Sequence, residues 1–279
     1  MEKYLIVNAD DFGLDNNISI GVEKTIQYGI VKSISFITNA SAFEDSVRII
    51  KRYKEVSVGI HLNLTDGKPV SRGPGIDFLL NEKSAFCGDH LKTIYSVISK
   101  PSYLPVIKAE FTAQIENLLD SGLKVSHIDS HGHIHLLPQL FPAVMELAKT
   151  FHIPYVRIPK ERMFYHGLPA KWGNILAINL LAKLAVSNLK KEKLKHVNDF
   201  IGIENAGKIT KEKLISLIRK ISYGVTELAV HPGENISILS GSFRWNYSWD
   251  DELLALTDGT VQEEIKRNKI YLVNFSRIS

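Results

Sequence analysis

Residues 124–138 read KVSHIDSHGHIHLLP, and the way this stretch is parsed decides the fold. The run 124–130 is apolar, partly β-branched and alternating, which predicts a strand. Gly132 and Pro138 mark a turn, and the amphipathic run 140–151 predicts a helix, so the stretch reads as one strand–turn–helix unit. It holds four of the chain's ten histidines. Side chains alternate across a strand, so His127, Asp129, His131, His133 and His135 leave from one face if the strand runs that far. At ~3.3 Å per residue, His127 and His135 would then lie about 26 Å apart, too far for all five groups to share one ion. A neighbouring pair can help form one site. The first members are expected lower in the strand, with Asp129 as a buried hydrogen-bond partner and His131 at the upper end. Spacing leaves open whether His133 or His135 reaches the same place.

Working outward, the same unit recurs along the chain. Strands are expected at 4–8, 33–38, 56–63, 124–130, 155–158, 197–201, 227–231 and 270–274. Helices are expected at 18–28, 43–53, 108–121, 140–151, 172–189, 210–222 and 252–268, the last with a break near Asp258-Gly259. This alternation predicts an α/β fold with a parallel sheet, and seven or eight units in 279 residues suggest a (β/α) barrel. Residues 1–279 read as a single domain, with an insertion at about 65–105 after the third strand and a helix within it at 91–98.

Composition narrows the class. The chain is 44% hydrophobic and 23% charged, with a net charge of +4, too mild to call for nucleic acid or an anionic membrane as partner. A single cysteine, Cys87, rules out a disulfide framework and fits a reducing compartment. The apolar start ends at Asn8, too early for a secretory signal, and no run reaches ~18 apolar residues. A cytoplasmic protein that does not enter membranes is expected. The apolar run 175–186 contains Asn179 and Lys183, so it reads as a packed helix or a subunit contact, compatible with a homodimer.

The polar residues fall at strand ends. The first strand runs into Asp10-Asp11 and then Gly13. Adjacent buried carboxylates repel each other unless a cation or donors compensate, so one could bind a metal while the other faces a water; the plainer reading is that Asp11 or Asp15 caps the next helix. His61 closes the third strand, Arg157 the fifth and His231 the one near the C-terminus. Each has an ordinary structural reading alone, as a core imidazole, a surface ion pair or a loop residue. Their coincidence at ends that converge in a barrel is what points to a site. One carboxylate with two imidazoles suits zinc or another transition metal and leaves room for water. Gly202–Lys208 has phosphate-loop spacing, but Ile209 stands where a Ser or Thr is needed. The aromatic run 243–249 either lines a sugar site or packs the C-terminal helix.

The segments NADDFG, GIHLNLT, HIDSHGHIHLLP, VRIP and VHPGE, in this order, resemble the YdjC-like carbohydrate deacetylases, and the resemblance runs from residue 4 to about 258. It implies a (β/α) barrel similar to the polysaccharide deacetylases and metal-dependent removal of acetyl groups from N-acetylated sugars, chito-oligosaccharides such as diacetylchitobiose among them. Carried onto this sequence, it implies Asp11, His61 and His131 as ligands of one divalent ion, magnesium by resemblance where the donor set also suits zinc. Asp10 would be the general base, His231 the late catalytic histidine and Arg157 the group that steadies the base. Gly132 departs from the pattern, where another His or Gln is common. Rival readings are a metal-dependent phosphoesterase or another barrel amidohydrolase, and, in a different class, a sugar-binding protein without turnover.

Overall fold

The computed structural model describes residues 2–71, 73–162 and 172–278. Eight strands appear in chain order: β1 Lys3–Phe12, β2 Ser33–Phe36, β3 Ser57–Leu62, β4 Val125–Ser130, β5 Tyr155–Val156, β6 Asp199–Ile201, β7 Gly224–Val230 and β8 Ile270–Leu272. The helices are α1 Asn16–Tyr28, α2 Phe43–Ile50, α3 His90–Ser99, α4 Leu104–Asp120, α5 Phe141–Thr150, α6 Trp172–Glu192, α7 Lys211–Arg219, α8 Ile236–Ser242, α9 Trp249–Thr257 and α10 Gly259–Arg267. Every ladder is parallel, and the strand order is β5-β4-β3-β2-β1-β7-β6, with β8 added on β1. The two outer strands of that order approach each other through isolated parallel bridges, Tyr155 to Lys195 and Glu161 to Phe200. The sheet therefore curls into a barrel whose β5–β6 seam is held by single contacts.

Alternation sorts the side chains into two layers. Leu5, Val7, Ala9, Val58, Ile60, Ile128 and Leu228 face the helices and join one large apolar core. The lumen is polar: Asn8, Ser33, Ser35, Ser57, His127, Asp129 and Glu227 are all buried. Its floor is closed by the C-terminal segment, where the Phe275 ring stacks 3.9 Å from that of His127, beside Ile6, Tyr155 and Val197. Gly59 lies under His127, and a Cβ there would collide with the imidazole.

Several boundaries differ from the sequence reading for local reasons. β1 continues through Phe12, past the expected end at Asn8, because a register shift between Ala9 and Phe12 absorbs an extra residue in its ladder with β2. β5 is only two residues long, framed by Pro154 and Pro159, which cannot donate to a ladder. β4 stops at Ser130. Gly132 (φ 61°) and His133 (φ 56°) then turn the chain through two left-handed residues, so the strand face ends at His131, where the sequence reading placed the turn, and His133 and His135 leave it. The break between α9 and α10 falls at Asp258, whose side chain accepts from the Thr260 N–H and caps α10. The segment 63–103 carries α3 and is tied down where the Glu110 carboxylate of α4 accepts the Val70 and Ser71 N–H groups. Among the described residues no helix is long and apolar enough to cross a membrane.

Candidate active site

Asp10 and Asp11 adjoin in sequence, and strict alternation would send one out of the barrel. Asp11 instead takes φ 63°, left-handed backbone that Asp tolerates better than most residues, and the bulge turns both carboxylates inward. Both are almost fully buried. Backbone strain of this kind at a strand end is a mark of a functional position.

The two carboxylates meet different partners. Arg157 donates Nη1 to Asp10 Oδ2 at 2.7 Å and Nη2 to Asp10 Oδ1 at 2.8 Å, and Asn8 Nδ2 donates to Oδ1 at 2.7 Å. Burial would raise the Asp10 pKa, but the Arg157 charge outweighs it and keeps the carboxyl below its ordinary range. Asp11 faces imidazoles: its Oδ1 lies 2.7 Å from His131 Nδ1 and 3.4 Å from His61 Nε2. Burial again pushes up, yet those two rings pull the Asp11 pKa well below normal. Its second oxygen, Oδ2, is buried without a hydrogen-bond partner among the described residues.

The imidazoles are held from behind. Asp129 Oδ1 sits 2.7 Å from His61 Nδ1, which leaves Nε2 turned toward Asp11. His131 has Asp66 Oδ2 3.7 Å from its Nε2, and its ring lies between His90 (centroids 4.7 Å) and Trp245 (4.8 Å). Burial works against protonation of His61, but Asp129, Asp10 and Asp11 more than offset it and raise its pKa to about 10. His131 is raised in the same way, Asp11 outweighing burial. Ligand atoms of Asp11, His61 and His131 all lie within 4.8 Å of one another. Asp10, His61 and Asp129 satisfy the same distance test, but Arg157 already occupies both carboxylates of that set, which makes it an ion-pair network.

His231 enters from the loop after β7. Its backbone N–H donates to Glu252 Oε2 at 2.6 Å, and its Nε2 comes 4.0 Å from Asp10 Oδ2. Burial outweighs the nearby carboxylates and lowers its pKa, so the resting ring is neutral. Tyr247 meets it edge-on at 5.1 Å. The structure thus brings all six residues singled out in the sequence, Asp10, Asp11, His61, His131, Arg157 and His231, to one end of the barrel. His127 and His135 stay outside. His127 lies deeper and burial drops its pKa to about 3, while His135 bridges Ser130 Oγ (2.6 Å) and the Arg157 carbonyl (2.9 Å), locking the end of β4 to the end of β5.

Four contributors went unread in the sequence: His90 and Asp66 from the segment after β3, Glu227 inside β7, and Glu252 on α9. Glu227 alone left a sequence signal, a carboxylate within the apolar run of β7. The aromatic run 243–249 does both things considered for it: Trp245 and Tyr247 reach the site rings, while Trp249, the first residue of α9, is buried.

Fold and site together define a class, barrel enzymes whose reactive side chains gather at the C-terminal ends of parallel strands. The chain belongs within that class to the YdjC-like protein family, which it matches over residues 4–267. It is 30% identical over 277 residues to the carbohydrate deacetylase of Geobacillus stearothermophilus, covering 99% of this chain and 98% of that one. It is likewise 30% identical over 276 residues to the carbohydrate deacetylase of Clostridium beijerinckii, covering 98% and 99%. In three dimensions it is similar to a crystal structure from Enterococcus faecalis V583, of a protein assigned provisionally to cellobiose-phosphate cleavage. The TM-score is 0.77 at 22% identity, with 99% of this chain and 98% of that one covered, a likeness of fold.

Proposed function

We propose that the protein is a metal-dependent carbohydrate deacetylase that hydrolyses the acetamide of N-acetylglucosamine-containing sugars, chito-oligosaccharides such as diacetylchitobiose among them, to acetate and an amino sugar. The observation that carries this reading is the convergence of Asp11, His61 and His131 within 4.8 Å, with Asp10 beside them as a separately held carboxylate. The donor set fits a divalent ion: one carboxylate, two imidazoles, and a buried Asp11 oxygen that lacks a partner among the described residues. Magnesium follows from the family and zinc from the donors. A bound ion there would polarise the acetamide carbonyl and make water a better acid.

The chain's own residues do the rest. Asp10, kept ionised by Arg157, accepts the proton of the attacking water at Oδ2, the oxygen that faces His231. His231 Nε2, neutral at rest, takes up a proton across that 4.0 Å gap and delivers it to the leaving nitrogen, which departs poorly as an anion. Asp129 fixes which nitrogen of His61 points at Asp11. Trp245 and Tyr247 offer aromatic faces to a sugar ring at the mouth.

We read the chain as one domain spanning 1–279, working in the cytoplasm as its single cysteine suggests. A homodimer is supported by Leu176, Leu180 and Leu184, an exposed apolar stripe at helical spacing on α6. The test is an acetate-release screen across N-acetylated mono- and disaccharides with zinc, magnesium, manganese or chelator. Metal-dependent release supports the proposal, and silence with every sugar and ion refutes it. A two-metal phosphoesterase is disfavoured because the second carboxylate set is taken up by Arg157, and one metal equivalent per chain is expected.

A further inference from the structure

Beneath the site, the Arg157 guanidinium is shared among three buried carboxyl groups. Arg157 Nη1 and Nη2 take both oxygens of Asp10, Nη2 also lies 2.8 Å from Asp129 Oδ2, and Glu227 Oε1 accepts from Nε at 2.8 Å and lies 2.7 Å from Nη2. Arg157, Asp129 and Glu227 have fully buried side chains, and Asp10 is only slightly less so. His61 also compensates Asp129, but Glu227 meets no cation except the shared guanidinium among the described residues, and an undercompensated buried charge sheds itself by taking a proton.

The partners show which acid gives way. Asp10 has a bidentate grip from Arg157 and a third donor in Asn8. Asp129 has Arg157, the Ser35 hydroxyl at 2.6 Å and His61 at 2.7 Å. Glu227 has Arg157 on one oxygen only, and its Oε2 is buried with no partner among the described residues. Among the described residues no other cation contacts Glu227. The charged groups facing it are Arg157 from the end of β5, Asp129 from β4 and Asp10 from β1. β6 presents the Phe200 ring at the paired register position, and His133, from the turn after β4, meets that ring edge-on.

We propose that Glu227 is a positioning residue for Asp10 and acts as a neutral carboxylic acid, occupying Arg157 Nε while leaving the guanidinium charge to Asp10 and Asp129. The role in catalysis, though not the protonation state, rests on the deacetylase reading above. Burial is the largest influence on Glu227, with Asp129 and Asp10 adding to it and Arg157 opposing, and together they raise its pKa from 4.5 to about 7. A folded-state pKa raised in this way gives a contribution to stability that is full below about pH 4.5 and fades as pH rises through about 7. Above that range Glu227 becomes a third anion drawing the guanidinium away from Asp10.

The experiment compares wild type with Glu227→Gln, which keeps an acceptor for Nε and cannot ionise. Melting temperatures are followed from pH 5 to 9, with acetate release over the same range. The expected result is that the wild type loses several degrees relative to Glu227→Gln as pH rises, and that kcat/KM of the variant extends to higher pH. Parallel melting curves with superimposable pH profiles would overturn the proposal. Should Glu227→Gln fail to fold, carbon-13 NMR of wild-type protein labelled at the glutamate carboxyls reads the same proton. Burial also raises the Glu252 pKa, to about 8, so two resonances with midpoints near pH 7 or above are expected, and one or none overturns the assignment. The melting and NMR readings need no substrate. Their failure is therefore distinct from failure of the deacetylase reading, which shows as wild-type protein that releases no acetate.

Discussion

Arg157 holds Asp10 through two parallel hydrogen bonds of 2.7 and 2.8 Å while its side chain is fully enclosed by the barrel. The fork of a guanidinium matches a carboxylate in a way an ammonium cannot, so the contact sets orientation as well as charge. Arg157→Ala would strand the buried Asp10 and Asp129 carboxylates, and a loss of about 3–5 kcal/mol in urea unfolding is expected. Arg157→Lys should fold but let Asp10 swing, lowering kcat by about 100-fold, the usual cost of displacing a catalytic group by ~1 Å. Equal kcat for Arg157→Lys and wild type would show that Asp10 needs no such grip.

Asp10 and Asp11 are neighbours whose substitutions should separate cleanly. Asp10→Asn preserves the acceptor for Arg157 and leaves the Asp11–His61–His131 set untouched, so metal binding should persist while turnover falls by about 10²–10⁴-fold. His61→Ala removes a member of that set and should lose both. Calorimetric metal titration beside acetate release checks the pair. A wild-type rate from Asp10→Asn would remove Asp10 from the role of base.

The Asp129–His61 contact makes a prediction about metal affinity and pH. Asp129→Asn weakens the orientation of His61, and losses at such supporting partners run to about 10–100-fold in affinity. In the metal-free protein the His61 pKa lies at about 10, so this ring holds a proton that a metal must displace, and that of His131 is also raised, in the same direction. Affinity should therefore climb with pH from neutrality toward about 10, with at least the His61 proton released per ion near pH 7. The protonated His61 also supports the metal-free fold, fully below about pH 6.5 and less as pH rises through about 10. Calorimetry in buffers of differing ionisation enthalpy counts the protons, and a pH-independent affinity would contradict the assignment.

What could be read from sequence followed period. His127 and Asp129 alternate on β4 and His131 follows its last residue, and β-strand geometry puts the first low and the last at the rim of the lumen face. The placement of Asp10 and Asp11 on one side could not be read that way, because it depends on a left-handed Asp11 and a bulge, which strict alternation does not foresee. His90 and Trp245 arrive from segments outside the repeating units. Only tertiary packing brings them to either side of His131. The sequence pattern starts this strand at Glu227, whereas β7 begins at Gly224 and places the Glu227 carboxyl inside the barrel against Arg157.

Trp245 joins the metal-facing side of the site to its mouth. Its ring lies 4.8 Å from His131, 4.6 Å from Phe243 and 5.5 Å from Tyr247, so one residue both backs an imidazole and extends an aromatic wall. Aromatic contacts of this kind contribute about 0.5–1.5 kcal/mol beyond their buried area, which corresponds to roughly 2–10-fold in binding. Trp245→Ala should therefore raise KM for an N-acetylated disaccharide by about that factor, with a smaller change in kcat, and Trp245→Phe should restore most of it. Metal titration of Trp245→Ala separates the two contacts. If the wall binds sugar, metal affinity falls far less than it does in Asp129→Asn. If KM stays at the wild-type value while metal affinity collapses, Trp245 serves His131 alone and the sugar must be held elsewhere.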